Sequence, residues 1–229
     1  MEPPDCVAPG NETPGCMMAR TSLTQTRHRG MLAPMVEQAT VISESVEHDV
    51  WCPDGYLSPG IHGQRIAIAG HSHWSDDPDH PGFTRDLLQD VVDGDRIRFF
   101  TSIAHYFGFE DVSEFWSRAL FFNFLPSLVG PGSERYGHGT QEQIAAGTAR
   151  VTRILESHRP QKLFVFSTKA WHDFPLTEED QGHLPRKPFP SWQTYLLKDG
   201  APVKACGLRH PQGADLARMT ADVSTLMSL

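Results

Sequence analysis

The sequence predicts an α/β fold in which helices cover both faces of a central, mostly parallel four-stranded sheet. Two observations support this fold class. Short apolar segments of the kind found in buried strands recur along the chain, and stretches with apolar residues at helical spacing separate them. Because strands that alternate with helices build parallel sheets with a helix layer on either side, we expect a three-layer α/β/α sandwich.

Four segments carry the strand pattern, and each ends in glycine or in polar residues. They are residues 65–70, 121–125, 162–167 and 203–208. The predicted helices cover 84–92, 115–120, a long segment to about residue 158, a start at 168–171, and 214–227. Thr140 is a favourable N-cap for the long helix, with Glu142 in its first turn.

The first 60 residues differ from the rest of the chain. They are rich in proline and glycine and have little hydrophobic periodicity. This pattern predicts a flexible tail over 1–29, a short helix over 35–46 and an irregular lead-in to about residue 63. We therefore expect a single α/β domain over 61–229, preceded by a flexible tail and lead-in over 1–60.

Composition excludes several classes of protein. A chain of 229 residues, 39% of them apolar and 21% charged, is not a disordered polymer. No segment reaches the ~18 apolar residues of a membrane span, and the N-terminus lacks a secretory pattern. The cysteines form no C-x-x-C pair, which argues against a zinc ribbon or a disulfide framework. We expect a cytoplasmic protein with no membrane contact and no cofactor.

Charge is distributed unevenly along the chain. The net charge of −8 excludes a protein that binds polyanions through bulk positive charge. Seven aspartates lie between residues 76 and 95, against the single basic residue Arg85. Between residues 133 and 162 there are five basic residues and three glutamates. The second half is therefore better suited than the first to meet an anion.

Polar residues follow the predicted strands at their carboxyl ends. The segments are 70–74 (Gly-His-Ser-His-Trp), Asn123, Ser167–Thr168 and His210–Pro211. In open α/β sheets, ligands bind in the crevice outside these ends. The convergence of these residues is the main functional signal in the sequence.

Each polar group allows more than one interpretation. His71, His73 and Asp76 have the chemistry of metal ligands, or they form a solvated loop after a strand. Asn123, on an apolar strand, either ties down a neighbouring loop or recognises the donor–acceptor edge of a ligand. The glycine-rich loop over 129–139 leads to a helix N-terminus and offers backbone N–H groups to an anion, but it lacks the order of a Walker loop.

The order of these elements resembles the uracil-DNA glycosylase superfamily over roughly residues 63–229. The matching segments are IAIAGHSHW at 66–74, a strand bearing Asn123, a glycine-containing loop with a long helix, LFVFSTKAW at 163–171, and RHP at 209–211. The resemblance implies the fold of that family. It also implies a monomeric DNA N-glycosylase that excises a deaminated or damaged, uracil-like base.

The resemblance also implies roles for individual residues. Asn123 would pair with the base edge, and His210 would donate to a base carbonyl and stabilise the departing anion. Gly70 would lie at the base pocket, Phe83 would stack on the base, and Trp74 would form a pocket wall. Phosphates would be held near a further group of residues, Gly137, Gly139, Ser167, Thr168 and Gln212.

The first motif departs from the family pattern. Active members place an Asp or Asn there to orient water or stabilise the sugar cation, whereas this chain has His71-Ser72-His73 and no carboxylate before Asp76. Ser72 can hold a water but supplies no negative charge for the sugar cation. Either a histidine or Asp76 has taken over the role, or the protein binds a base or nucleotide without cleaving it well. A metal-dependent hydrolase built on His71, His73 and Asp76 is the third alternative.

Overall fold

The computed structural model describes residues 46–177, 179–183 and 191–229. It confirms the α/β fold class, but the sheet has six strands where the sequence predicted four. In chain order the strands are β1 (Ile66–Gly70), β2 (Leu120–Asn123), β3 (Lys162–Val165), β4 (Gln181–His183), β5 (Ser191–Leu196) and β6 (Pro202–Gly207). Their order across the sheet is β2-β1-β3-β6-β5-β4.

Parallel pairing is confined to one side of this sheet. Strands β2, β1, β3 and β6 pair in parallel, while β5 and β4 extend the sheet in antiparallel pairing. The turn between β5 and β6 contains Asp199-Gly200, and Gly200 has a φ of +82°. Because Asp-Gly is a hairpin signal, the sequence does contain a signal for the β5–β6 pair, which the four-strand prediction left out.

Four of the five predicted helices lie close to their predicted positions, whereas the helix predicted over 115–120 lies over 112–116 and Leu120 already begins β2. The helices are α1 (Phe83–Asp93), α2 (Arg98–Tyr106), α3 (Val112–Trp116), α4 (Gln141–His158), α5 (Thr168–Asp173) and α6 (Leu216–Ser228), with short 3-10 turns at Asp54–Tyr56 and Gly132–Glu134. Helix α2 was not predicted. Thr140 caps α4 as expected, in a capping box whose reciprocal partner is Gln143.

Alternate residues of the strands point to opposite faces of the sheet, and each face packs on its own helices. Ile66 and Ile68 of β1 belong to a core with α1, α2, α3 and α6. Ala67 and Ala69 belong to a second core with α4 and α5. The predicted helix layers therefore lie on both faces of the sheet.

The described part of the lead-in packs into the domain. Trp51 pairs with Phe121 of β2 through backbone hydrogen bonds of 2.9 Å in both directions, and Tyr56 is fully buried. Residues 46–60 are therefore built into the fold, although the sequence assigned them to a flexible lead-in. The predicted tail over 1–29 and the predicted helix over 35–46, apart from residue 46, lie outside the described residues.

Within the described ranges, no helix is long and apolar enough to cross a membrane.

Candidate functional site

The strand order reverses at β1. From β1 the chain moves outward to β2 on one side, and later strands are added on the other side, beginning with β3. In open α/β sheets, ligands bind at the carboxyl ends of the strands beside such a reversal. In this protein, Gly70 ends β1 and is followed by His71, and Ser167 follows β3.

Gly70 and Asn123 are direct neighbours at the ends of β1 and β2. A Cβ atom at position 70 would clash with Oδ1 of Asn123, so only glycine leaves room for this carboxamide. The Asn123 side chain is 3% exposed, and its Nδ2 has no hydrogen-bond partner among the described residues. Because an unpaired buried amide costs about 1–3 kcal/mol, this donor is suited to a ligand.

The buried side chain of Arg150 binds the backbone of Asn123. Arg150 of α4 donates from Nη1 to the backbone oxygen of Asn123 at 2.7 Å and also donates to the backbone oxygen of His48. Burial lowers the pKa of Arg150 to about 10 and Glu47 opposes this shift, so the guanidinium remains charged at pH 7. His48 in turn contacts Asp79, with 2.6 Å between Nε2 and Oδ1. Neither Arg150 nor His48 was among the residues expected at the site, because neither belongs to a motif.

The segment after β1 runs alongside the segment after β2. Backbone N–H groups of the second segment donate to oxygens of the first: Phe124 to Gly70 at 3.1 Å, Leu125 to His71 at 2.9 Å, and Val129 to His73 at 3.1 Å. These bonds continue the parallel pairing beyond the strands. The loop that begins the predicted first motif therefore has a defined backbone position.

His71 is half-buried at the start of this loop. Its Nδ1 lies 3.0 Å from Ser72 Oγ, and its buried Nε2 has no partner among the described residues. Burial lowers the pKa of His71 to about 4; Lys169 and His138 contribute in the same direction, and Asp173 opposes them. The imidazole is therefore neutral at pH 7 and offers one unpaired ring nitrogen.

His73 does not share this environment. It is buried, its Nε2 lies 3.0 Å from Thr84 Oγ1, and its ring packs on Phe83 and His48. Burial, together with His48 and Arg150, lowers the pKa of His73 to about 3. The structure thus gives His73 a packing role in place of the expected catalytic or metal-binding role.

The expected stacking role of Phe83 is also corrected. Its ring stacks on His48 with 5.5 Å between centroids and contacts the rings of His73 and His80 at 5.1 and 5.6 Å. His48 therefore occupies a stacking position on the Phe83 ring, where the sequence predicted a base. Phe99 of α2 is better placed, since its half-buried ring lies 5.2 Å from that of His210. Phe99 was not expected at the site because α2 was not predicted.

His210 lies on the loop after β6, and its side chain is exposed rather than enclosed. Its Nδ1 accepts a hydrogen bond from the backbone N–H of Gln212 at 3.1 Å, which places the ring proton on Nε2 in the neutral form. Partial burial lowers the pKa of His210. The Gln212 N–H is therefore committed to His210 and is not the phosphate donor that the sequence suggested.

Trp74 and Asp76 hold the glycine-rich loop in place. The Asp76 carboxylate accepts from the Gly132 N–H at 3.1 Å, and Trp74, 49% exposed, lies beside the same glycine. Ser75 and Gly130 add a backbone bond of 3.2 Å. These contacts assign both side chains to loop support. The catalytic role of Asp76 and the pocket wall at Trp74 stay predictions, and the Trp74 side chain is exposed.

Some of the groups that the sequence predicted to bind phosphate already have hydrogen-bond partners within the protein. The Gly137 N–H donates to the backbone oxygen of Glu134 at 2.6 Å, and the Ser167 side chain caps α5 by accepting from the Ala170 N–H at 3.2 Å. Gly139, with a φ of +81°, packs closely on Leu125. Thr168 is exposed at the first turn of α5. The phosphate-binding roles of Gly139 and Thr168 stay predictions.

The structure does not arrange His71, His73 and Asp76 as the ligands of a metal site. His73 is bonded to Thr84 and Asp76 to Gly132, while His71 contacts Ser72. Among residues 46–177, 179–183 and 191–229, no group of three His, Cys, Asp or Glu side chains is arranged to hold a metal ion.

No protein-family model and no curated protein matches the chain. The geometry of the site is therefore the basis for a functional conclusion.

Proposed function

We propose that the protein is a uracil-DNA glycosylase-like enzyme that binds a uracil-like base at the carboxyl ends of β1 and β2 and hydrolyses its N-glycosidic bond. The observation that carries this proposal is the buried carboxamide of Asn123, which lies over Gly70 with its Nδ2 unpartnered among the described residues. A flipped base is read by hydrogen bonds to its edge from such a group.

The chemistry of Asn123 favours a base with a carbonyl at the contacted position. Its free Nδ2 is a donor, and a carbonyl oxygen accepts from it, whereas an exocyclic amino group does not. Arg150 donates to the backbone oxygen of the same residue, so the backbone that carries the carboxamide is fixed before the base enters. This arrangement suits deaminated bases, in which a carbonyl replaces an amino group.

His210 supplies the second contact. In the neutral form its Nε2–H is a donor, because Nδ1 accepts from Gln212. Exposure of the ring leaves this donor accessible to a ligand that arrives from solvent. A fixed donor aimed at a base carbonyl stabilises the negative charge that develops on the base as the glycosidic bond breaks. Phe99 packs against the ring and limits its movement.

A cleavage assay tests the proposal. Oligonucleotides that contain uracil, hypoxanthine or xanthine are incubated with the wild type and with the variants Asn123→Asp and His210→Ala. Asn123→Asp is nearly isosteric but replaces the Nδ2 donor with an oxygen, so we expect cleavage to fall by at least tenfold while the fold is retained. Arg153→Ala, which changes an exposed side chain of α4, is the control and should cleave at the wild-type rate.

A non-catalytic base- or nucleotide-binding protein is the second candidate, and the absence of a carboxylate from residues 70–75 favours it. It predicts binding of a lesion-bearing strand that is weakened by Asn123→Asp, with no product after hours of incubation. Cleavage of none of the three substrates together with no binding would contradict both candidates.

A further inference from the structure

The exposed aromatic side chains of the described residues belong to one region of the surface. Trp74 is 49% exposed and Tyr136 is 68% exposed. Among the large hydrophobic side chains that are exposed in the described part of the chain, these two are aromatic and the others are leucines. Single exposed leucines need no explanation, whereas exposed apolar groups that cluster beside polar residues mark an interaction surface.

Trp74 and Tyr136 are brought together by the glycine-rich loop over 129–139. The Trp74 ring packs on Gly132, where a Cβ atom would lie 3.3 Å from its Cζ3. Tyr136 is four residues further along the same loop, and four residues of backbone span at most about 14 Å. A 3-10 turn at Gly132–Glu134 shortens this span. The two rings and the Arg135 side chain between them therefore form one surface, which we call the aromatic loop surface.

Hydrogen bonds fix this surface in place without covering its rings. The Gly132 N–H donates to the Asp76 carboxylate at 3.1 Å. At the other end of the loop, Nζ of Lys169 in α5 donates to the backbone oxygen of Tyr136 at 2.6 Å. Both bonds use backbone groups of the loop. The rings are therefore held in position before a partner arrives, which reduces the entropy cost of binding.

Two cations lie at the aromatic loop surface. The Arg135 guanidinium carbon is 5.0 Å from the centroid of the Tyr136 ring, and the Lys169 ammonium group lies against the backbone of the same tyrosine. A guanidinium over an aromatic ring can contact a phosphate while the ring stacks on a base.

The neighbouring carboxylates face the backbone of the loop. Asp76 accepts from Gly132, and the Glu134 carboxylate lies against Gly130. Asp77, three residues after Trp74, is exposed and opposes an anion. Together with the net charge of −8, this arrangement requires stacking to supply most of the affinity, with the two cations in a secondary role.

These features favour single-stranded nucleic acid as the partner. Proteins bind single strands through aromatic rings on which successive bases stack, with cations along the backbone. In a duplex the faces of the bases are covered by their neighbours. The surface also adjoins the proposed base site, because Trp74 follows the segment 70–73, whose backbone is hydrogen-bonded to residues 124–129.

We propose that the aromatic loop surface binds single-stranded nucleic acid, with bases that flank the target base stacking on Trp74 and Tyr136 and a phosphate contacting Arg135. As a statement about the substrate, this rests on the proposed function, and it makes the substrate a single strand. The stacking itself does not require uracil, because every base has a π-face.

Affinity for an undamaged oligonucleotide tests the proposal. Oligothymidylate, which contains no uracil, is titrated with the protein as a single strand and as a duplex with oligoadenylate. We expect the single strand to bind more tightly. Trp74→Ala and Tyr136→Ala should each weaken its binding about tenfold, as the loss of one stacked base does. Trp74→Phe and Tyr136→Phe retain a ring and should bind like the wild type, which separates stacking from a disturbed loop.

Leu57→Ala is the matched control, because Leu57 is an exposed apolar residue outside this surface. It is 73% exposed, and its neighbour Tyr56 binds His158 at the end of α4, whereas the loop lies at the start of that helix. This variant should bind like the wild type. Arg135→Gln should lower the slope of log affinity against log salt by about 0.7, the value for one phosphate contact on a single strand.

The outcomes separate this surface from the proposed function. Unchanged affinity in both alanine variants, or equal affinity for single strand and duplex, would overturn the role of the aromatic loop surface. Cleavage of a uracil substrate would then still support the glycosylase function. Ring-dependent binding of oligothymidylate by a protein that cleaves none of the three substrates would overturn the glycosylase function and support binding at this surface.

Discussion

The Asn123 carboxamide lies directly over the backbone of Gly70, in the space that a Cβ atom at position 70 would occupy. The two residues are register neighbours at the ends of β2 and β1. The Asn123 side chain can therefore adopt this position only because residue 70 is a glycine. This coupling between two distant sequence positions supports the view that the amide is placed for a ligand.

Gly70→Ala should disrupt this arrangement. The added methyl group must push the Asn123 side chain away, and overpacking of this kind costs about 1–3 kcal/mol. We expect a lower free energy of unfolding in urea and a loss of affinity for a uracil-containing strand. Gly63→Ala is the matched control for affinity, since an added Cβ there meets no atom within 4 Å, although the positive φ of Gly63 makes some loss of stability expected. Full affinity in Gly70→Ala would contradict the coupling.

Arg150 should contribute more to stability than its neighbour Arg153. Arg150→Met fills a similar volume but leaves the backbone oxygens of Asn123 and His48 without their donor. We expect a loss of about 2–4 kcal/mol in the free energy of unfolding. Arg153 binds Glu47 at the surface, so Arg153→Ala should cost less than about 1 kcal/mol. Equal losses in urea unfolding would show that the buried hydrogen bonds of Arg150 add little.

The parallel half of the fold could be predicted from sequence because its strands are apolar on both faces. Segments such as 65–70 and 162–167 have few other interpretations in a folded chain. Strands β4 and β5 were missed because they are only partly buried and carry polar side chains. Helix α2 was missed because it is only nine residues long and begins directly after a segment rich in charged residues, 93–97.

The candidate site was predicted less completely than the fold. The pairing of Gly70 with Asn123 follows from the rule that parallel strand ends meet at one edge of a sheet. The roles of Phe83 and His73 did not follow, because their partner His48 belongs to the lead-in, which has no periodic signal. Sequence spacing also does not show whether a histidine at the crevice has a free nitrogen or one bound to a neighbour.

Stability should fall as the pH is lowered from about 6.5. Burial lowers the pKa of His73 to about 3 and that of His71 to about 4, so the unfolded chain binds protons that the folded protein does not. Each such histidine reduces the free energy of unfolding by about 1.4 kcal/mol per pH unit below 6.5, until its folded pKa is reached. His73→Gln retains a donor toward Thr84 but does not titrate, so the pH dependence of urea unfolding should be shallower. An identical slope in the variant would contradict the assignment.

Phe99 should matter for ligand binding more than for folding. Its half-buried ring contacts His210, with centroids 5.2 Å apart, and Phe121, with centroids 6.2 Å apart. Phe99→Ala removes the surface that positions the His210 donor, and a base that stacks there would lose about 1–3 kcal/mol. We therefore expect affinity for a uracil-containing strand to fall by about tenfold. Phe109→Ala is the control, because Phe109 is also half-buried but packs on His62 and Phe115. If both variants lose similar stability and only Phe99→Ala weakens binding, Phe99 is the aromatic residue on which the base stacks. Equal affinities of the two variants would contradict this role.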